Sequence, residues 1–242
     1  MINELKRIFK SYYYSNNYKK FVIVGHARTG SNFLANLLRS SEYCRCVGEV
    51  FAEHRREYGK GYDKIIKNVF GEKRNKLKAV GFKLFYYHLT KSEWLKLSEI
   101  ENLFIIHLIR RNTLRTIVSL EIAFQNQYWF LDKNTIPLIA EQKRIKIDTN
   151  TIIDDIDKIN EYQKKVRKYF KNNEIDIIYY EDMVQNPQST IELLRIKLGL
   201  DKINYNRIIS QKQNPESIKD LIINYKEVED VLNEKGYSSY LE

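Results

Sequence analysis

The sequence predicts an α/β chain: a central parallel sheet with helices on both faces, entered through a strand-loop-helix near its start. Three observations predict it. Apolar runs with β-branched residues recur at 21–24, 79–85, 103–109 and 175–180, the pattern of strands covered on both faces. Stretches with helical spacing lie between them. Gly25 and Gly30 bracket a four-residue loop between the first run and the first helix.

In chain order, residues 1–20 read as a short helix, with Leu5, Ile8 and Phe9 on one face, and a Tyr/Asn-rich connector. After the run at 21–24 and its loop, a helix puts Phe33, Leu34, Leu37 and Leu38 on one face. Ser31 or Thr29 is placed to cap it. A short β-like run leads to 47–51, and 52–78 is charged and weakly helical around Ile65, Ile66, Val69 and Phe70. Residues 92–97 form a short amphipathic helix. The run at 103–109 ends in Arg110, Arg111 and Asn112, and the helix after it carries Leu114, Ile117, Val118 and Ile122 on one face. The segment 124–150 is aromatic first (Phe124, Tyr128, Trp129, Phe130), then mixed in charge. A long helix is expected over 152–170. Beyond the run at 175–180, Glu181, Asp182 and Met183 turn the chain outward. Pro187 precedes a helix with Ile191, Leu194 and Leu198, and Gly199 is a natural C-cap. A polar loop at 211–215 leads to a last helix with Ile218, Leu221, Ile222, Tyr225 and Leu232.

A chain of 242 residues can bury a full core, and 43% hydrophobic with 30% charged residues is ordinary for a globular protein. The net charge of +10 asks for an acidic partner: nucleic acid, anionic membrane or a polyanionic small molecule. The lysines are scattered, however, so cations placed in motifs matter more than the total. Cys44 and Cys46, with one residue between them, suit neither a zinc knuckle nor a redox pair; free thiols, on opposite faces of a strand, are expected. The histidines are scattered too, so no metal site is expected. No stretch of about 18 apolar residues exists to span a membrane. The N-terminus has no apolar signal core, and the cytoplasm is the expected location.

The loop Gly25-His26-Ala27-Arg28-Thr29-Gly30 feeds a helix N-terminus, where backbone N–H groups converge on one spot and bind phosphate-like anions. The glycine spacing is that of a P-loop, but the next two residues are not. A nucleotide triphosphatase needs Lys and then Ser or Thr there, for phosphate and Mg²⁺. Here they are Ser31 and Asn32, and the cation sits inside the loop as Arg28. That favours a metal-free group transfer. In parallel sheets ligands lie beyond the carboxyl ends of the strands. The loops after Val24, Leu84, Ile109 and Tyr180 therefore share one rim. There Arg111 and Ser119, eight residues on, can converge on one anion as guanidinium fork and hydroxyl donor; the alternative is that Arg111 caps an acidic neighbour and Ser119 is a helix-face residue.

Two anion sites on one rim suit a nucleotide phosphorylated at both 5′ and 3′ positions. At this point the sequence resembles the sulfotransferases that use 3′-phosphoadenosine 5′-phosphosulfate (PAPS). The loop 25–31 looks like their 5′-phosphosulfate loop, in its carbohydrate-type form with Arg in the basic position. Residues 111–119 look like their 3′-phosphate motif, with the Arg-to-Ser spacing intact. Tyr180-Glu181-Asp182-Met183, followed by Asn186-Pro187, resembles a third segment, whose Tyr lies near the adenine. Residues 48–51, 81–83 and the aromatic stretch ending at Trp129 look most like bacterial carbohydrate sulfotransferases of the trehalose and nodulation-factor types. The C-terminal Lys-Gly-x-x-Gly loop of the cytosolic enzymes is missing, and Lys212-Gln213 sits in roughly its place.

The resemblance implies in-line transfer of a sulfuryl group from PAPS to a hydroxyl of a carbohydrate or glycolipid, leaving adenosine 3′,5′-bisphosphate. Ala27, Arg28, Thr29, Gly30, Ser31, Asn32, Arg111, Ser119, Tyr180 and Lys212 are the expected nucleotide-binding residues. Arg28 and Lys83 are expected at the transferring group, and Glu49 as the base, with His26 the alternative. Phe124, Tyr128 and Trp129 are candidates for a sugar-stacking face, while His107 reads as a core histidine. The chain is expected to be one domain, 1–242: N-terminal helix and connector (1–20), nucleotide-binding core (21–200), C-terminal loop and helix (201–242). A nucleic-acid partner and a transmembrane segment are not expected, and a homo-oligomer stays open. The alternatives are a P-loop-like kinase, which needs a loop lysine and a Mg²⁺ carboxylate, and a non-catalytic polyanion-binding protein, which needs a basic stripe.

Overall fold

In the computed structural model, the structure describes residues 14–53, 61–129, 137–203 and 214–242. The expected helix at the N-terminus and Lys212 lie outside the described residues. The elements, in order, are β1 (Tyr14–Ser15), β2 (Lys19–Gly25), α1 (Ser31–Arg39), β3 (Cys44–Glu49), α2 (Tyr62–Phe70), β4 (Lys73–Arg74), β5 (Ala79–Phe85), α3 (Lys91–Ser98), β6 (Leu103–Ile109), α4 (Thr113–Asn126), α5 (Ile152–Tyr169), β7 (Glu174–Tyr179), α6 (Tyr180–Gln185), α7 (Pro187–Lys197), α8 (Ile218–Leu221) and α9 (Tyr225–Glu234).

Five strands form one parallel sheet in the order β3-β5-β2-β6-β7. β1 and β4 make a small antiparallel pair. Alternation along β2 explains the layers, because successive strand residues face opposite sides. Phe21 and Ile23 pack with Leu34, Leu37 and Leu38 of α1 and with Ile191 and Leu194 of α7. Val22 and Val24 pack on the other face with α2, α3 and the end of α5, through Ile65, Leu97, Val166 and Phe170. A third cluster joins α4, α5, α8 and α9. The sheet is thus buried on both faces, which is why its strands read as apolar runs rather than as an alternating pattern. β2 lies at its centre, so the loop after Gly25 opens at the point where connections diverge to the two sides, the usual ligand position in such sheets.

Three expectations are corrected. The last helix, read as continuous from 218, is two helices. Between them Ile223 N–H donates to the Ile145 carbonyl and Ile145 N–H to the Leu221 carbonyl, at 2.8 and 2.9 Å. Asn224 adds side-chain bonds to both backbone groups of Ile147. The break costs no helix hydrogen bonding because a distant segment supplies the partners. Cys44 and Cys46 lie on the same face, within one core cluster, as residues two apart on a strand must. They are free and buried, and burial pushes the Cys46 thiol up to about 12. Neither Ser31 nor Thr29 caps α1: its N-cap is Gly30, with no side-chain hydrogen bond there.

Candidate active site

The uncapped start of α1 is the first feature of the site. Thr29 Oγ1 turns back to the His26 carbonyl at 2.8 Å, and His26 Nδ1 donates to the Ala27 carbonyl at 3.0 Å. These bonds hold the loop while the first amides of the helix keep no side-chain acceptor, the state that suits an incoming anion. Two residues take left-handed backbone angles, Arg28 at φ 67° and Gly30 at φ 86°. At Gly30 a Cβ atom would meet the Tyr180 ring at 2.6 Å. Glycine is required there both by its angle and by the aromatic wall.

Arg28 projects across the rim to α4. Its Nε donates to Ser119 Oγ at 3.0 Å and its Nη1 to the Trp129 carbonyl at 2.7 Å. Burial, with the charge of Arg110 adding to it, holds its pKa down to about 10, so it stays cationic at neutral pH. Ser119 Oγ also accepts from Asn214 Nδ2 at 3.2 Å. A hydroxyl has two acceptor sites and one donor. With both lone pairs engaged, the Ser119 O–H has its proton left to give.

Arg111 is held elsewhere. It is exposed, forms a two-pronged ion pair with Asp182 at 2.5 and 2.7 Å, and lies 4.0 Å over the Tyr179 ring. Its neighbour Arg110 turns inward instead. Arg110 is buried and packs 4.8 Å over the Tyr180 ring. Its Nη1 reaches the Arg28 carbonyl at 3.3 Å and the Arg115 carbonyl at 3.5 Å. Its Nε is buried with no partner among the described residues. Hydrogen bonds therefore link Arg110, Arg28 and Ser119, while Arg111 is tied to α6. Spacing to Ser119 singles out Arg111 in the sequence, and Arg110 has no such signal. The available signal was position: Arg110 is the first residue past β6 and so stands on the rim.

On the other side of the loop, Lys83 is buried within β5. Its Nζ donates to Asn32 Oδ1 at 2.5 Å and to Glu49 Oε1 at 2.8 Å. Glu49 ends β3 where the register with β5 shifts, which brings it opposite Lys83. The structure thus unites three residues that sequence reasoning had assigned separately. Tyr87 follows β5, and its exposed ring packs against Phe85 at 5.8 Å. The ring of His26 meets Tyr87 edge-on at 5.7 Å. Burial lowers the pKa of His26, and its Nδ1–H is committed to a carbonyl, so its Nε2 carries a free lone pair. His107 is a core residue bonded to the Tyr86 hydroxyl at 2.9 Å through Nε2. Among the described residues no group of three or more His, Cys, Asp or Glu side chains is placed to hold a metal ion. No helix among them is long and apolar enough to cross a membrane.

The model of one protein family, described as Stf0 sulphotransferase, matches residues 47–228. Among solved structures, a sulfotransferase from Alicyclobacillus acidocaldarius shares the fold with a TM-score of 0.57 at 13% identity, over 93% of this chain and 94% of that one. The mouse sulfotransferase SULT7A1, complexed with PAP, aligns with a TM-score of 0.45 at 13% identity, over 84% of this chain and 66% of that one. No curated protein sequence matches the chain. The family match begins after the loop at 25–30, so the reading of that loop rests on its own geometry.

Proposed function

The chain belongs to the Stf0 sulphotransferase family, and on that premise we propose that it transfers the sulfuryl group of PAPS to a hydroxyl of a carbohydrate or glycolipid. The observation that carries this reading is the hydrogen bond from Arg28 to Ser119. It joins two anion-binding motifs that lie 91 residues apart in the chain. The donors fit a bisphosphorylated nucleotide: uncapped amides at one end, a free hydroxyl proton and a buried, unpartnered Arg110 Nε at the other. A buried guanidinium with an unpaired N–H is costly, and an anionic ligand relieves that cost.

Bound there, the nucleotide supplies an activated sulfuryl group. The backbone N–H groups of Ala27 to Ser31 and the Arg28 guanidinium hold the 5′ end and meet the charge that grows on the departing phosphate oxygen. Ser119 and Arg110 hold the 3′-phosphate, with Arg111 kept by Asp182 in the free protein. Tyr180, braced on Gly30 and Arg110, lies beside the adenine. Glu49 takes the proton of the acceptor hydroxyl as its oxygen bonds to sulfur and the sulfur–phosphate oxygen bond breaks. Lys83 orients Glu49 and Asn32, and supplies positive charge next to the transferring group. The whole chain is read as one functional unit. Two free buried cysteines suit a reducing compartment such as the cytoplasm.

Thermal melting with adenosine 3′,5′-bisphosphate, with and without Mg²⁺, tests the nucleotide, because a ligand of the folded state raises the melting point. The expected result is an equal rise in both conditions. A larger rise with ATP and Mg²⁺ would replace this reading with that of a kinase. Transfer of labelled sulfate from PAPS to a panel of glycans tests the acceptor.

A further inference from the structure

Three aromatic side chains stand exposed among the described residues: Tyr87 at 53%, Phe124 at 50% and Trp129 at 40%. The other exposed large apolar residues are aliphatic. Two of them touch the same loop, and the third packs on one of these. The Tyr87 ring meets His26. The Trp129 carbonyl accepts from Arg28. Phe124 packs edge-on to Trp129 at 4.9 Å. Sheet order sets them on opposite sides, because β2 lies between β5 and β6. Tyr87 follows β5, while Phe124 and Trp129 come from the helix after β6 and its end. Phe124 lies off the buried face of α4, which is formed by Leu114, Ile117, Val118 and Ile122. The core does not use it.

We infer that Tyr87, Phe124 and Trp129 form the acceptor platform, and that a pyranose ring lies against them with its reacting hydroxyl turned to the loop. The inference rests on the sulfuryl-transfer reading and names the residues that select its acceptor. Half-exposed rings on an open rim suit a sugar, whose C–H face stacks on an aromatic surface while its other hydroxyls stay in water. A wholly apolar acceptor would instead need a closed pocket that buries most of its surface.

The test is steady-state transfer from PAPS to methyl glucopyranoside, trehalose, the open-chain polyol sorbitol and a simple phenol. It is run with the unsubstituted protein and with Tyr87→Ala, Phe124→Ala and Trp129→Ala. The platform predicts that the pyranosides outperform sorbitol and the phenol. Each alanine variant should raise the pyranoside KM about tenfold while keeping the melting shift given by adenosine 3′,5′-bisphosphate, which also certifies folding. A second readout needs no turnover. The chain has 2 tryptophans, and Trp94 is buried against Tyr169. With the bisphosphate present, a saturable fluorescence change on adding pyranoside, lost in Trp129→Phe, supports the platform. If pyranosides are sulfated and all three alanine variants keep the same KM, the platform is overturned and the transfer reading stands. If only the phenol is sulfated, the carbohydrate reading falls and the proposed occupant falls with it.

Discussion

Replacing Arg110 by methionine should move stability and nucleotide binding in opposite directions. In the free protein the Arg110 Nε is buried without a partner, a state that costs about 1–3 kcal/mol. Its two bonds to carbonyls, at 3.3 and 3.5 Å, are long and return little of that. Methionine keeps the apolar stem and a sulfur contact with the Tyr180 ring. The free variant should therefore melt no lower than the unsubstituted protein, and up to a few degrees higher at about 2–4 °C per kcal/mol for a chain of this size. Binding should suffer. Loss of one desolvated, charge-assisted partner of a phosphate costs about 2–5 kcal/mol, so affinity for adenosine 3′,5′-bisphosphate should fall at least about thirtyfold. Adenosine 5′-phosphate, which lacks the 3′ group, should lose much less. Calorimetric titration with both nucleotides, beside a melting curve, reads all three quantities. Arg111→Met is the control: its pair with Asp182 is solvent-exposed, and its loss should change binding little. Unchanged bisphosphate affinity in Arg110→Met together with abolished binding in Arg111→Met would refute the argument, because the spacing motif would then identify the ligand-binding arginine and the inward turn of Arg110 would not.

Glu49→Gln keeps an acceptor for Lys83 but removes the base; kcat should fall by about 10²- to 10⁴-fold while calorimetry finds the nucleotide affinity kept, and undiminished turnover would transfer the role to His26. Gly30→Ala forces a side chain into a left-handed angle and against the Tyr180 ring; it should cost about 1–2 kcal/mol in urea melts and most of the bisphosphate-induced shift. His107 makes the protein acid-sensitive. Burial, and next the charge of Arg167, depress its pKa from 6.5 to about 4. The unfolded chain then binds the proton more readily, so the stability held by neutral His107 is full above pH 6.5 and is lost as pH falls towards 4, by up to about 3 kcal/mol. Urea melts at pH 7 and pH 4.5 should show a loss that His107→Gln reduces, and equal losses in both proteins would exclude this histidine as the source.

The strands at 79–85 and 103–109 were legible to the residue, because a strand covered on both faces has no solvent side and reads as a nearly unbroken apolar run, here interrupted only by Lys83 and His107. The same physics displays the loop at 25–30, since glycines at a strand-helix junction have few other uses. What the sequence could not decide was pairing across distance. Ile218 to Leu232 keeps helical spacing through its break, and only the bonds from Ile145 and Ile147 interrupt it. Arg110 and Arg111 are identical in type and adjacent. Which one turns inward depends on Asp182 standing where it captures the second and on Tyr180 standing where it stacks with the first. The trio of Lys83, Glu49 and Asn32 comes from three elements and meets only because β3, β5 and α1 pack side by side. Local chemistry and period are written in consecutive residues; the direction of a side chain at a site is set by neighbours that folding brings from elsewhere in the chain.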